Sequence, residues 1–398
     1  MQTAGIRQQP TGEPLFVGPT HVDLDLTNAC NLACSHCSVA SGKPMKDELD
    51  TEGMLGVVRD VHALGTLSLT VAGGEPFMRE DIVELLAFAC SLPGWSVTVI
   101  TNGTYFTDPL LDQLRTRCPE LTVNVSVDGS SPETFDRLRH RRRRTPEAQR
   151  QLFEQVTQGI RTAVDAGLKV HTSFTLARCN ADDVAATYDL VRGLGARDLL
   201  AIKFFSAGRG LDHLTQMAFP YAEWARTMVR LTRQKAAGRF PFLSLSLPSA
   251  WEFYLPLHEA GMDLRQAERL WRYRAPLRGS YYARFRTVGD PSGVADLNVV
   301  ANGDVYPVTL MSGNRAALCG NVRTTPLGDI WEHSPTLAAL RGLDLRDLPP
   351  TCGTCPVSTL CGGGSRARAL IRSGSLAGPD ASCPKLDTAE RTSHQSHR

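Results

Sequence analysis

The sequence predicts an α/β fold, a curved and partial (β/α)6 barrel followed by a small C-terminal cysteine-rich domain. Two observations carry this. Between residues 21 and 205, six β-rich runs alternate with amphipathic patterns, and such alternation implies parallel strands with right-handed crossovers. The eleven cysteines are also unevenly spread, three within residues 30–37 and four between Cys352 and Cys383. A chain of 398 residues has room for one large domain and a smaller one.

The strand candidates are VDLDL (22–26), LSLTV (67–71), SVTVI (96–100), LTVNVSV (121–127), KVHTSFTL (169–176) and LLAIKFF (199–205). Segments 52–64, 80–90, 148–166 and 181–194 place apolar residues at helical spacing between them. Six units fall short of the eight that close a barrel, and the reactive end of such a barrel is the C-terminal end of its strands. Residues 206–290 change character. A helix is expected over 220–237, then LSLSL (243–247) and an aromatic stretch with Trp251, Tyr254, Trp271, Tyr273, Tyr281 and Tyr282, read as a bridge whose rings serve core or interface. From about residue 291, VADLNVVANGDVYPV predicts a hairpin turning at Asn302-Gly303. The expected division is an N-terminal extension (1–19), barrel (20–215), bridge (216–290), cysteine-rich domain (291–388) and polar tail (389–398).

Composition narrows the function classes. Hydrophobic content of 42%, charged content of 21% and a formal charge of +2 describe an ordinary globular protein without a global field for nucleic acid or membrane. The chain has no apolar run of about 18 residues, and MQTAGIRQQPTGEPLF lacks a signal-peptide core. A cytoplasmic location follows as the expectation, with reduced thiols acting as ligands or buried groups. Cys90, Cys118 and Cys179 have no partner at ligand spacing and are expected as core or incidental thiols, with approach of Cys179 to the active site after the fifth strand as the alternative. The run Arg139-His140-Arg141-Arg142-Arg143-Arg144 is read as a solvated loop before a helix near Pro146, with an anion patch as the sharper alternative.

The chemistry concentrates at the two cysteine groups. Cys30, Cys34 and Cys37 stand at C-x3-C-x2-C spacing just after the first strand. A closed zinc site needs a fourth ligand, and His36 is poorly placed to supply it. A four-iron cluster on three thiolates keeps one iron open. Spacing alone leaves zinc and plain buried thiols in contention. After the second strand comes AGGEPF (72–77), where two glycines permit close backbone approach and Glu75 offers an acceptor for an ammonium group. Near the C-terminus, Cys352-x2-Cys355-x5-Cys361 with Cys383 downstream supplies four more thiols at ligand spacing.

Cys30, Cys34 and Cys37, then Gly73-Gly74-Glu75-Pro76, Thr101-Asn102-Gly103 and Ser126-Val127-Asp128-Gly129, resemble the radical S-adenosylmethionine (SAM) superfamily. The C-terminal cysteines, with the GDVYP hairpin and Gly320-Asn321, resemble that superfamily's SPASM/twitch extension. The resemblance implies a radical SAM barrel in which a [4Fe-4S] cluster on Cys30, Cys34 and Cys37 offers its open iron to SAM. It implies that Gly73, Gly74, Glu75 and Pro76 receive the amino group, and that Asn102, Ser126 and Asp128 belong to the SAM site, the last two at the ribose. SAM reduction would then yield a 5′-deoxyadenosyl radical that abstracts hydrogen from a C–H bond. FSAGRG (205–210) looks like a feature of relatives with a C-terminal cluster domain, and Arg209 is read either as a carboxylate contact or as part of a turn.

Departures from the family pattern refine this. Val308 stands where a hairpin cysteine is expected and Ser365 where CGGGC would end, while Cys319 remains alone. One auxiliary [4Fe-4S] cluster is therefore expected, on Cys352, Cys355, Cys361 and Cys383, closed by four thiolates and suited to electron relay or structure. The expected substrate is a ribosomal peptide or an amino-acid-derived natural product. Alternatives are a tetrapyrrole of heme synthesis, a sugar or aminocyclitol, or a non-catalytic metal-binding scaffold. Implied partners are a reductant such as flavodoxin or ferredoxin and, because few residues precede the first strand, a separate leader-peptide-binding protein. Neither nucleic acid nor membrane is expected. Reconstituted protein should hold about eight irons per chain, from two four-iron centres; iron quantitation and Mössbauer spectra indicating three clusters would contradict the loss of the second auxiliary site.

Overall fold

Ten strands form one continuous sheet in the order β10-β9-β8-β1-β2-β3-β4-β5-β6-β7. The computed structural model describes residues 15–275, 277 and 284–386. Tyr281, Tyr282, most of the expected N-terminal extension and the polar tail lie outside them. The strands are β1 (His21–Asp25), β2 (Ser68–Ala72), β3 (Ser96–Thr101), β4 (Thr122–Ser126), β5 (Lys169–Leu176), β6 (Leu199–Lys203), β7 (Leu243–Ser246), β8 (Asp296–Val299), β9 (Asp304–Tyr306) and β10 (Gly320–Asn321). All six expected strands form, within two residues at either end.

Side chains alternate across a strand, and here the two faces have opposite character. Val22, Leu24, Leu69, Val71, Val97, Val99, Val123 and Val125 are buried, sharing one core with Met54, Val57 and Val61 of the helix Thr51–Ala63 and Leu85 and Leu86 of the helix Ile82–Ser91. The other face is polar: His21, Asp23 and Asp25 on β1, Thr70 on β2, Asn124 on β4, His171 and Ser173 on β5. A concave polar face inside an apolar shell gives the barrel an interior that can hold charged guests.

Two features differ from the sequence expectation. LSLS, read as part of a bridge, pairs in parallel with β6 as a seventh barrel strand, with Leu243 and Leu245 pointing into the core. The C-terminal hairpin continues the same sheet, because β8 runs parallel to β1 with His21 opposite Asp296 and Leu24 opposite Val299. The hairpin turns at residues 300–303, where the Gly303 N–H donates to Val300 O at 2.8 Å. Trp251, Tyr254 and Trp271 are buried as expected, and Tyr273 stacks on Phe253 with ring centroids 4.3 Å apart. Among the described residues no helix is long and apolar enough to cross a membrane.

The inner face stores unfavourable charge. Asp25 is 6% exposed, beside Asp23, and accepts from Asn298 Nδ2 at 3.3 Å. Burial first, and the Asp23 charge second, push its carboxyl up from 3.8 to about 7. A carboxyl with a higher pKa folded than unfolded holds its proton more tightly in the native state. Its stabilising effect is complete below the unfolded value and is lost as pH rises to about 7. Urea midpoints of the apoprotein should therefore fall between about pH 4 and about pH 7. Asp25→Asn should flatten that slope and add on the order of 2 kcal/mol at the alkaline end; an unchanged slope would contradict this account.

Candidate active site

The cysteine loop leaves β1 and is held from three sides. Its backbone lies along residues 138–140, with the Ala33 N–H donating to His140 O at 2.8 Å and the Ser35 N–H to Leu138 O at 2.9 Å. Glu48 staples its entrance, accepting from the Asn28 N–H at 2.7 Å and the Thr27 hydroxyl at 2.8 Å. From above, Arg209 donates through Nε to Cys34 O at 3.0 Å and through Nη1 to Ser41 O at 2.7 Å, while its N–H reaches Cys37 O. Gly208, at φ +51°, lies so close that a Cβ would sit 2.4 Å from Ser38 O. Arg209 is thus a clamp on the loop, the turn reading in its strongest form.

The GGEP segment packs on the same loop. The Gly74 N–H donates to Thr27 O at 2.6 Å and the Glu75 N–H to Ala29 O at 2.8 Å. A Cβ at Gly74 would meet Ala29 O at 2.0 Å, so protein backbone already demands this glycine. Glu75 is fully buried, accepting from the Thr101 hydroxyl and the Asn102 N–H, both at 2.7 Å, and the Phe77 N–H at 3.2 Å. Burial pushes its carboxyl up to about 7 against these three donors.

Together these segments enclose a cavity of about 290 Å³. Cys30, Cys34 and Cys37 all line it, as do Gly73, Gly74, Asn102 and Ser126. Asn102 is fixed there by Asn31 and Thr104 at 2.6–2.8 Å. Three expected residues lie behind the wall instead: Glu75, Pro76 and Asp128. Asp128 differs most from expectation, since its Oδ2 takes Arg139 Nε at 2.9 Å and Nη2 at 2.8 Å while Oδ1 takes the Thr175 N–H at 2.6 Å. The carboxylate is buried behind Arg139 and does not line the cavity. The solvated-loop reading of the basic run fails at its first member: Arg139 is 8% exposed, faces the cavity and brings Nη1 to 3.7 Å from Cys34 Sγ. Arg141, Arg142, Arg143 and Arg144 are exposed, and Arg144 pairs with Asp136.

The electrostatics of this wall are lopsided. Arg139, Lys203 and Arg209 line the cavity, whereas Asp128 and Glu252, the counter-ions of the first two, sit behind it. Burial pushes the Cys34 thiol up to about 12, partly opposed by Arg139, and likewise raises Cys30. Burial also holds His36 neutral, at about 4. Neutral thiols at this depth lose their protons when metal binds them.

The second cysteine group also converges. Cys352, Cys355, Cys361 and Cys383 line one cavity with Trp251 and Asp380. Among the described residues no group of three or more His, Cys, Asp or Glu side chains converges closely enough to hold a metal ion; the thiols of each group border one cavity. Ser365 is a helix cap, its Oγ accepting from the Arg368 N–H at 3.3 Å and its own N–H donating to Ser249 Oγ at 2.8 Å. Val308 packs on an apolar cluster with Tyr306, Met311 and Leu370, whereas Cys319 packs on the main core. The two cavities are joined through buried charges. Lys203 pairs with Glu252, Glu252 with Arg368 at 3.0 Å, and Arg368 Nη2 with Asp380 Oδ2 at 3.1 Å.

Two family models match this chain, the radical SAM superfamily over residues 24–191 and the SPASM iron–sulfur cluster-binding domain over residues 293–356. The chain belongs to the radical SAM superfamily. As a radical SAM enzyme with a SPASM domain, it uses a [4Fe-4S] cluster, SAM and auxiliary iron–sulfur chemistry. It is 27% identical to an AdoMet-dependent heme synthase of Methanosarcina barkeri, over 89% of this chain and 93% of the relative. It is 28% identical to a PqqA peptide cyclase of Xanthomonas campestris pv. campestris, over 92% and 87%. Streptococcus suis SuiB bound to precursor peptide SuiA shares the fold at a TM-score of 0.70 and 17% identity, over 93% of this chain and 76% of that one.

The clamp is testable apart from turnover. Arg209→Ala should cut iron retained at the N-terminal cluster by half or more, because two carbonyls of the loop lose a charged donor. Iron per chain and the electron paramagnetic resonance (EPR) signal measured with and without SAM check this; full loading would contradict it.

Proposed function

We propose that the chain cleaves SAM reductively and removes hydrogen from a C–H bond of a ribosomally made peptide or related amino-acid-derived product. The observation that carries the reading is one cavity shared by three thiols, the glycine pair and two polar strand ends. When bound, the cluster and SAM supply a 5′-deoxyadenosyl radical, and the protein's part is placement and shielding. Cys30, Cys34 and Cys37 would hold the cluster, the Gly73-Gly74 backbone the amino end of SAM and Ser126 the ribose. Glu75 acts one layer back, fixing Thr101 and Asn102 at the end of β3. Asp128 also acts through another residue, keeping the Arg139 guanidinium beside Cys34. Cys352, Cys355, Cys361 and Cys383 would close one auxiliary cluster as a relay, with a flavodoxin or ferredoxin as electron partner.

Support for a peptide comes from relatives named for peptide cyclisation and from the fold of SuiB, whose solved complex contains a precursor peptide. A second reading rests on the cationic wall. Arg139, Lys203 and Arg209 face the cavity, and no carboxylate of the described residues lines it, which favours a guest bearing carboxylates. A peptide with acidic side chains satisfies this, and so does a tetrapyrrole, the substrate class suggested by the heme synthase relative.

Anaerobic reconstitution with SAM and dithionite should release 5′-deoxyadenosine, and Cys30→Ala, Cys34→Ala or Cys37→Ala should abolish release. Cys355→Ala should spare part of the cleavage while lowering product turnover at least tenfold, about 1.4 kcal/mol in barrier. Mass spectrometry with a candidate precursor peptide, and separately with a carboxylated tetrapyrrole, decides the substrate. SAM cleavage unaffected by Cys34→Ala would sink the assignment.

A further inference from the structure

An arginine-rich face lies apart from the cavity of Cys30, Cys34 and Cys37. The helix Leu264–Trp271 buries Ala267 and Trp271 and turns Arg265 and Arg269 to solvent, and Arg272 and Arg274 follow at its end, also exposed. The four arginines line one open depression with Glu268 and Tyr273. None of the four pairs with a carboxylate among the described residues. The local acids are occupied: Asp263 caps the helix, accepting from the Arg265 N–H at 2.8 Å and the Gln266 N–H at 3.0 Å, and Glu268 accepts from the Tyr254 hydroxyl at 2.7 Å. The charge of Arg272 reaches inward as well. The Lys235 ammonium, 5.0 Å from the Trp271 ring centroid, is brought down to about 8 by burial first and the Arg272 charge second.

This face adjoins the second cysteine group. Tyr273 and Arg274 also line a neighbouring cavity that Cys361 lines, and Cys361 in turn belongs to the cavity of the four thiols. The depression shares no residue with the cavity of Cys30, Cys34 and Cys37. A whole-chain charge of only +2 makes this a local patch. Cations presented beside a redox centre, away from the substrate cavity, suit an electron donor better than a substrate.

We propose that the arginine patch is the docking face for an acidic one-electron carrier protein of the flavodoxin or ferredoxin class, serving the auxiliary centre at Cys352, Cys355, Cys361 and Cys383. This rests on the reading of those thiols as cluster ligands. In the step served, one electron passes from the reduced carrier to the auxiliary centre. The carrier is oxidised by one electron, the centre is reduced by one, no bond forms or breaks and no proton moves. Attraction between a basic patch and an acidic partner acts mainly on association rate and is weakened by salt.

The test uses the full-length reconstituted enzyme, Arg265→Glu/Arg269→Glu and the milder Arg265→Gln/Arg269→Gln, with flavodoxin as the probe. At low salt the charge reversal should weaken flavodoxin binding about tenfold or more and slow flavodoxin-driven reduction of the auxiliary EPR signal to match. The glutamine pair should fall between, and high salt should close the gap. Reduction by dithionite, which needs no docking face, should be unchanged. Unchanged flavodoxin affinity overturns the proposal. So does a loss confined to binding of an acidic precursor peptide, which would make the patch a peptide site. If iron analysis and EPR find no cluster at the four C-terminal cysteines, the ligand reading fails, while flavodoxin affinity still decides the docking face.

Discussion

The buried pair of Asp128 and Arg139 joins the parts of this protein that have to meet. Asp128 ends the fourth strand's polar turn, accepts the Thr175 N–H of the fifth strand and holds the guanidinium that faces Cys34. The residues flanking Arg139 hydrogen-bond to Ala33 and Ser35 in the cysteine loop. A buried ion pair persists where further hydrogen bonds satisfy both partners, and here they come from strand and loop. Burial raises the carboxyl, but Arg139, His36 and the Thr175 N–H together outweigh it, so Asp128 stays charged below the usual carboxylate range. Loss of either partner would strand a charge under the cluster loop, a cost of several kcal/mol.

Much of the barrel was legible because parallel strands repeat a local pattern. Val22 and Leu24 alternate with Asp23 and Asp25 within five residues, and the next helix follows at its own period. What escaped was non-local. The strand Leu243–Ser246 is four residues long, and only its register against Leu199–Ile202 makes it part of the barrel. The pairing of β8 with β1 joins residues about 275 positions apart, beyond any window of periodicity. Arg139 was hidden by company, since a run of arginines reads as solvated and one buried member leaves no mark.

The site was legible in its cysteines and less so in its carboxylates. Spacing alone brought both thiol groups forward, and each lines one cavity. Glu75 and Asp128 stood at motif positions, but a motif does not tell whether an oxygen faces a ligand or another residue. Both orient the wall from behind. Glycine is similar, for Gly74 is required by Ala29 whatever the cavity holds. The GGGSRAR stretch gains its meaning from Ser249, Glu252 and Asp380, none adjacent in sequence, which Arg368 binds together between the two cavities.

The shared sheet has a consequence for modularity. The seam between the large and small parts of the chain is a ladder, with β8 paired to His21–Leu24 of the strand that leads into CNLACSHC. A chain severed ahead of β8 would leave that strand with a bare edge, an invitation to intermolecular pairing and aggregation. The barrel is therefore not a portable catalytic unit to which a cluster domain was appended. Transplanting it, or exchanging its C-terminal domain for another, means supplying a new neighbour for β1 before supplying any new chemistry.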